Sequence, residues 1–216
     1  MIRRILLPCL LACAISVAAH AAETPSAFVQ GLGNHVLSLL DRQKTAGEDA
    51  STCFHKLLVT DFDIPTIGRF VIGTAWRGAT PEERKAYMDL FENLVVDVYN
   101  DRFQDYSSEG FEVIGEMPEN AKDTRVRSRI VRPGKPPVNV EWRVRAKDGG
   151  FRIVDVSVEG VSMTLTQRSE FASILDRNGG RVQALVDRLA EDRVKRDAAK
   201  VEAHKDQPPR PETACP

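Results

Sequence analysis

The residues that could carry chemistry are few. His35 and His55 stand in the body of the chain, and neither has a second His or Cys at the spacing a metal centre requires. His20 falls in an N-terminal leader and His204 in a charged tail. Both body histidines therefore read as surface or helix-face residues. Ser162 follows Gly160, but the run Glu159-Gly160-Val161-Ser162-Met163 is not a nucleophile elbow. Asp155 and Glu159 lie four apart on an expected strand and so on one face. Two carboxylates so placed could work as an acid and a base, although ion pairing or solvation at a sheet edge is the simpler reading. No glycine-rich phosphate loop or dinucleotide fingerprint occurs. No catalytic residue, metal or cofactor is assigned on these grounds, and an enzyme built on Asp155 or a histidine is the competing reading.

The arginines form a second pattern. Arg125, Arg127, Arg129, Arg143 and Arg145 fall on the polar face of two neighbouring expected strands. They could dock an acidic partner or anionic lipid headgroups. The plainer alternative, which the sequence favours, is a solvated sheet face balanced by Glu112 and Glu141.

The elements that would position these residues can be read from periodicity. Phe28, Leu32, Val36, Leu39 and Leu40 give a helical stripe over 25–45, and Cys53, Phe54, Leu57 and Leu58 a shorter one over 49–58. From Asp61 to Phe103 the chain reads as two sharply bounded helices. Asp63 and Pro65 open the first and Gly73 loosens its end. Thr80-Pro81-Glu82-Glu83 is a capping box for the second, whose stripe is Tyr87, Leu90, Phe91, Leu94, Val95 and Val98. At Gly110 the period changes to two. Strands follow over 111–117, 125–131 and 138–145, the last with Val138, Val140, Trp142 and Val144 on one face. Asp148-Gly149-Gly150 turns into a fourth strand over 151–159, which alternates less and so reads as buried on both faces. Residues 161–165 extend the pairing, 166–177 return to helix, and 181–189 form a last short helix. The expectation is an α+β fold, helices packed on a twisted antiparallel sheet of four to five strands with one apolar face.

Length and composition frame this as one domain with ends. The chain has 216 residues, formal net charge −1 and 42% hydrophobic residues, enough for one real core. Arg3 and Arg4, the apolar run from Ile5 to Val17 and Ala19-His20-Ala21 make 1–21 a secretory signal peptide. Leu10-Leu11-Ala12-Cys13 also resembles a lipoprotein cleavage box, the less favoured alternative. No later stretch could span a bilayer. Loss of Arg3 and Arg4 takes the charge from −1 to −3, which gives no electrostatic case for nucleic acid. Residues 22–190 are the expected domain, and 191–216 a charged, proline-bearing tail read as frayed helix followed by disorder. Cys53 and Cys215 remain after cleavage. Two free thiols is the favoured expectation and a bridge between them the alternative.

Several runs together resemble the periplasmic MlaC-type phospholipid-binding proteins, also called toluene-tolerance auxiliary proteins. They are Phe62-Asp63-Ile64, Gly68 to Gly73, Trp76-Arg77, Thr80 to Arg84, Phe91 to Tyr99, Asp155 to Ser162, and Arg168 to Phe171 with Gly179-Gly180 and Leu185. The likeness covers roughly 25–189. Gln167, where the family often has Tyr, and the tail after Glu191 depart from it. The resemblance implies a deep apolar cavity between helices and sheet that shields phospholipid acyl chains, with no catalysis. It implies a carrier between an outer-membrane lipoprotein complex and an inner-membrane ABC transporter complex. Candidate lining residues are Phe70, Val71, Trp76, Phe91, Leu94, Val98, Val126, Val140, Trp142, Val144 and Val154, with ordinary core packing the rival for each aliphatic. Trp76 and Trp142 could alternatively stand at the mouth, and Gly73 could be a point of opening. The run Arg177-Asn178-Gly179-Gly180-Arg181-Val182 also resembles a hopanoid-associated subfamily.

Overall fold

The computed structural model describes residues 23–46, 50–103, 110–205 and 215. The expected signal peptide and the prolines of the tail lie outside them. Seven helices and five strands follow in order: α1 Pro25–Ala46, α2 Ser51–Asp61, α3 Ile64–Ile72, α4 Ala75–Gly78, α5 Pro81–Phe103, β1 Gly110–Pro118, β2 Asp123–Val131, β3 Val138–Lys147, β4 Gly150–Val158, β5 Val161–Ser162, α6 Met163–Arg177 and α7 Val182–His204. The expected α+β class is the observed one.

The helix starts follow from their caps. Asp63 accepts a hydrogen bond from the Thr66 amide at 3.3 Å and starts α3. The Thr80 amide donates to Glu83 Oε2 at 2.8 Å while the Glu83 amide donates to Thr80 Oγ1 at 3.1 Å, the reciprocal box expected at the head of α5. Gly73 closes α3 with φ +65°, a conformation that a side chain would strain.

The strands form an antiparallel meander in sequence order. Register places Val126 opposite Trp142 and Trp142 opposite Val156, and Ser128 opposite Val140 and Val140 opposite Val158. One face of the sheet is therefore apolar across its width, with Phe111 and Ile130 continuing it at the edge. Helix α1 covers β1, whose edge would otherwise be open. Gln30 accepts from the Val113 amide at 3.0 Å and donates to the Phe111 carbonyl at 3.1 Å. The buried run Ile153, Val154, Asp155, Val156 comes from a bulge in β4, where Arg143 faces Asp155 but Val144 faces Ile153.

A short helix, α4, stands between the two expected over 61–103, α2 runs to Asp61 rather than ending at 58, and two further boundaries differ from expectation. Helix α6 begins at Met163, so only Val161 and Ser162 pair with β4 rather than all of 161–165. Ser162 Oγ accepts from the Leu165 amide at 3.1 Å, and Asp155 from the Thr164 amide at 3.2 Å, so two side chains turn the backbone into helix early. The last helix passes Leu189 and runs to His204. Its alternating charges are helical partners, Arg188 with Asp192 at 2.9 Å and Arg193 with Asp197 at 3.7 Å. Beyond them Arg196 reaches Asp97 of α5 at 3.1 Å.

Candidate functional site: an apolar hollow over the sheet

Helices α1 and α2 lie over the apolar sheet face without filling the space beneath them. A hollow of about 190 Å³ remains. Its roof is Leu32, Gly33, Val36, Leu37 and Leu40 of α1 with Phe54, Leu57 and Leu58 of α2. Its floor is Phe111, Ile130, Val138, Val140, Trp142, Val156 and Val158. Polar groups near it are satisfied in place. Trp142 Nε1 donates to Ser128 Oγ at 2.8 Å, and that hydroxyl donates to the Val140 carbonyl at 3.1 Å, so the indole lies as a wall with its polar edge turned onto the sheet. Phe111 packs edge-on against it with ring centroids 6.1 Å apart.

A second, more open groove of about 820 Å³ runs between α3, α5, α6 and α7. Ile67, Val71, Phe91, Leu94, Val98 and Ile174 are among its apolar lining, while Gln167, Glu170, Arg177, Arg188 and Asp192 stand along it. Phe62, Val156 and Met163 line both spaces. They are the partition between hollow and groove. Met163 is an unbranched side chain that can change rotamer without disturbing backbone.

The lining residues expected from sequence divide accordingly. Val140 and Trp142 face the hollow, and Val71, Phe91, Leu94 and Val98 face the groove. Val126 and Val144 are fully buried in the main core, and Val154 is the buried bulge residue. Phe70 is 41% exposed and lies under the Arg168 guanidinium, 4.8 Å from its ring centroid. Trp76 packs edge-on against Tyr87 at 6.3 Å with Arg84 over its ring. None of the roof residues was in the expected set. The stripes of α1 and α2 were visible as apolar faces, but periodicity does not distinguish a face that packs from one that stops short of contact.

The groups considered for catalysis have structural roles. Asp155 is buried and receives Ser162 Oγ at 2.7 Å as well as the Thr164 amide. Glu159 lies beyond β4 in a turn with φ +48° and receives the Asn139 amide at 2.6 Å, so the two carboxylates do not share the strand face expected of them. His55 pairs with Glu92 at the surface, 3.2 Å away. His35 Nε2 is buried without a partner among the described residues. Burial raises the Asp61 carboxyl, with Arg152 and His35 offsetting part of the shift.

Four of the five face arginines are matched by carboxylates. Arg125 and Arg143 share Glu119 at 3.2 and 3.0 Å, Arg129 meets Glu112 at 2.8 Å, and Arg145 forks onto Asp123 at 2.7 and 2.9 Å. Arg127 has no ion-pair partner among the described residues, although Glu141 stands opposite it in register.

The two cysteines are joined. Cys53 and Cys215 form a disulfide across a sequence separation of 162, against the favoured expectation of two free thiols. A pair so distant in sequence, one member in a polar tail, carries no local signal of pairing.

Fold and hollow together are those of an α+β domain with an internal apolar space and no catalytic set recognised among its described residues. The chain belongs to the MlaC protein family, whose sequence model matches residues 30–191. It is similar to the toluene tolerance protein ttg2D of Pseudomonas putida, 23% identical over 172 residues, which is 77% of this chain and 80% of that protein. Its fold is similar to that of a phospholipid-binding protein from Ralstonia solanacearum solved in complex with a phospholipid. That likeness has a TM-score of 0.69 at 23% identity and covers 79% of this chain and 97% of the other.

Proposed function

We propose that this chain is a non-enzymatic phospholipid carrier of the periplasm, exported by its N-terminal segment. In this reading it ferries lipid between an outer-membrane lipoprotein complex and an inner-membrane ABC transporter complex. The observation that carries the reading is the unfilled apolar space between α1, α2 and the sheet, adjoining the apolar groove along α5 and α6. Family membership and the phospholipid bound by the Ralstonia protein support the same ligand class. Two acyl chains of about 30 methylenes cost on the order of 20 kcal/mol in water, at ~0.8 kcal/mol each, so a soluble carrier must enclose them. No helix among the described residues is long and apolar enough to cross a membrane. The hollow alone, at about 190 Å³, falls below the ~300–1,000 Å³ of ordinary ligand pockets. Acyl chains would therefore have to displace Met163 and continue into the groove.

The hopanoid alternative rests on the run at 177–182, which forms the α6–α7 turn. Gly179 and Gly180 there have φ of +63° and +76°, a requirement of the turn itself whatever the ligand. Arg127, with the ion-paired arginines around it, is the candidate contact for a partner or headgroup. Native mass spectrometry of the freshly purified chain, with organic extraction of what it holds, tests the reading. Phospholipid should co-purify, and Leu94→Asp, which puts a charge on the groove wall, should lose it. A chain that folds without lipid and takes none up from vesicles would overturn the proposal, and a hopanoid in the extract would replace the ligand.

A further inference from the structure

Three large apolar side chains stand open around the start of α6. Phe70 is 41% exposed in the last turn of α3, Val161 is 54% exposed just ahead of α6, and Leu165 is 55% exposed in its first turn. Helices α3 and α6 pack together, and Arg168 ties them. Its Nη1 donates to the Phe70 carbonyl at 2.8 Å, and its guanidinium lies over the Phe70 ring. That carbonyl sits where a helix end leaves its acceptors without helical partners. Leu165 and Arg168, three residues apart, share a face of α6. Phe70, Arg168 and Leu165 therefore belong to one surface, with Val161 beside the N-cap Ser162 at its edge.

The cations of this surface are not neutralised. Arg69 Nε donates to the Pro65 carbonyl at 3.1 Å and Arg168 to Phe70, and neither arginine has a carboxylate partner among the described residues. The carboxylates closest in sequence are engaged elsewhere. Glu159 receives the Asn139 amide at 2.6 Å, and Glu170 receives Gln167 Nε2 at 2.9 Å. The sheet face differs, because most of its arginines meet a carboxylate.

Apolar side chains set between uncompensated guanidinium groups complement an anionic bilayer surface, where the former enter the acyl boundary and the latter meet phosphates. Three half-exposed side chains cover far less than the ~800 Å² per partner of a standard protein interface, which argues against a second copy. The patch also borders the groove. Val71 and Thr166, which line it, are next in sequence to Phe70 and Leu165.

We infer that this patch docks the protein on an anionic lipid surface. Phe70, Val161 and Leu165 enter the acyl boundary, Arg69 and Arg168 meet the phosphates, and the groove opens beside the bilayer. The inference rests on the carrier reading for what crosses the contact, but the docking itself is measured without cargo.

Vesicle flotation of the purified full chain tests this, with phosphatidylcholine alone and with equal parts phosphatidylcholine and phosphatidylglycerol, at low and high salt. Leu165→Glu and Arg69→Glu each change one exposed member of the patch. Val194→Glu, at a position 68% exposed on α7, controls for added charge. The chain should bind the anionic vesicles and release them at high salt. Either patch substitution should weaken binding about tenfold, while Val194→Glu binds as wild type and all three unfold at the wild-type temperature. A wild-type chain that binds no vesicles, yet carries co-purified phospholipid, would overturn the docking and leave the carrier reading standing. Undiminished binding by both patch variants, or equal weakening by Val194→Glu, would also overturn it. So would a dimer that Leu165→Glu dissociates in a chain that ignores vesicles, since the patch would then belong to a second copy. Patch-dependent binding by a chain that never takes up lipid would support the docking and refute the carrier reading.

Discussion

Gly33 offers a direct way to ask whether the hollow holds ligand. It is buried in the middle of α1 with the Phe111 ring pressed onto its backbone. A Cβ at that position would lie 2.2 Å from Phe111 Cδ1, 2.4 Å from Cε1 and 2.7 Å from Cγ. These are rigid ring atoms, so Gly33→Ala must displace the ring or lift α1. The ring stands in the wall of the hollow against Trp142, and the open direction is inward. Overpacking of this kind costs about 1–3 kcal/mol, and the gain in helix propensity from Gly to Ala returns about 1 kcal/mol. Net stability should therefore fall by about 0–2 kcal/mol, a modest shift in a urea midpoint. Ligand capacity should suffer more. Each methylene excluded by the shifted ring forfeits ~0.8 kcal/mol, so loss of two would weaken lipid retention by roughly fifteenfold. Gly31 supplies the control. It is exposed on the same helix with nothing within 4 Å of a new Cβ. Gly31→Ala should stabilise the fold by about 1 kcal/mol and leave lipid uptake alone. The assay is partition of pyrene-labelled phospholipid between vesicles and each variant, beside urea titration. Wild-type retention by Gly33→Ala, at unchanged stability, would refute the assignment of the hollow as the acyl-chain site.

Other outcomes follow from single contacts. Met163→Ala should join hollow and groove and raise the lipid held per chain at saturation, measured by native mass spectrometry, at a cost of about 2–5 kcal/mol in stability. Asp63 is 3% exposed, and burial alone would raise its carboxyl, but hydrogen bonds from Lys147 and Thr66 outweigh that and hold it below the usual range. Hydrogen bonding from Arg145 depresses Asp123 in the same sense. Stability from both is complete above the ordinary carboxylate range, near pH ~4, and is lost as pH falls through their lower folded values. Asp63→Asn, which can still cap α3, should lose about 1–3 kcal/mol at neutral pH and flatten the acid limb of a stability–pH profile. Tyr87→Phe removes a buried hydroxyl that donates to the Gly68 carbonyl at 2.9 Å and should cost about 1 kcal/mol in thermal unfolding, with lipid content unchanged.

What the sequence by itself determined was local. Caps, turns and period placed the helices and strands, because Asp63, Thr80 with Glu83, and the alternation of β3 act over a few residues of backbone. The family likeness rests on the same ordered runs. The bulge at Val154 showed only as broken alternation, and the start of α6 was misplaced because Asp155, eight residues upstream, supplies the deciding acceptor. Tertiary structure alone decided which apolar faces meet and which stand apart. Leu32, Val36 and Leu40 carry the same stripe as any packed helix, and only the height of α1 and α2 over the sheet turns that stripe into a roof. The disulfide was also decided there, since a pair 162 residues apart becomes a neighbour only through the path of the folded chain. Charges were partly legible: balance of the β2 and β3 arginines by Glu112 and Glu141 was the favoured reading of the sequence, and the fold added Glu119 and Asp123 as partners.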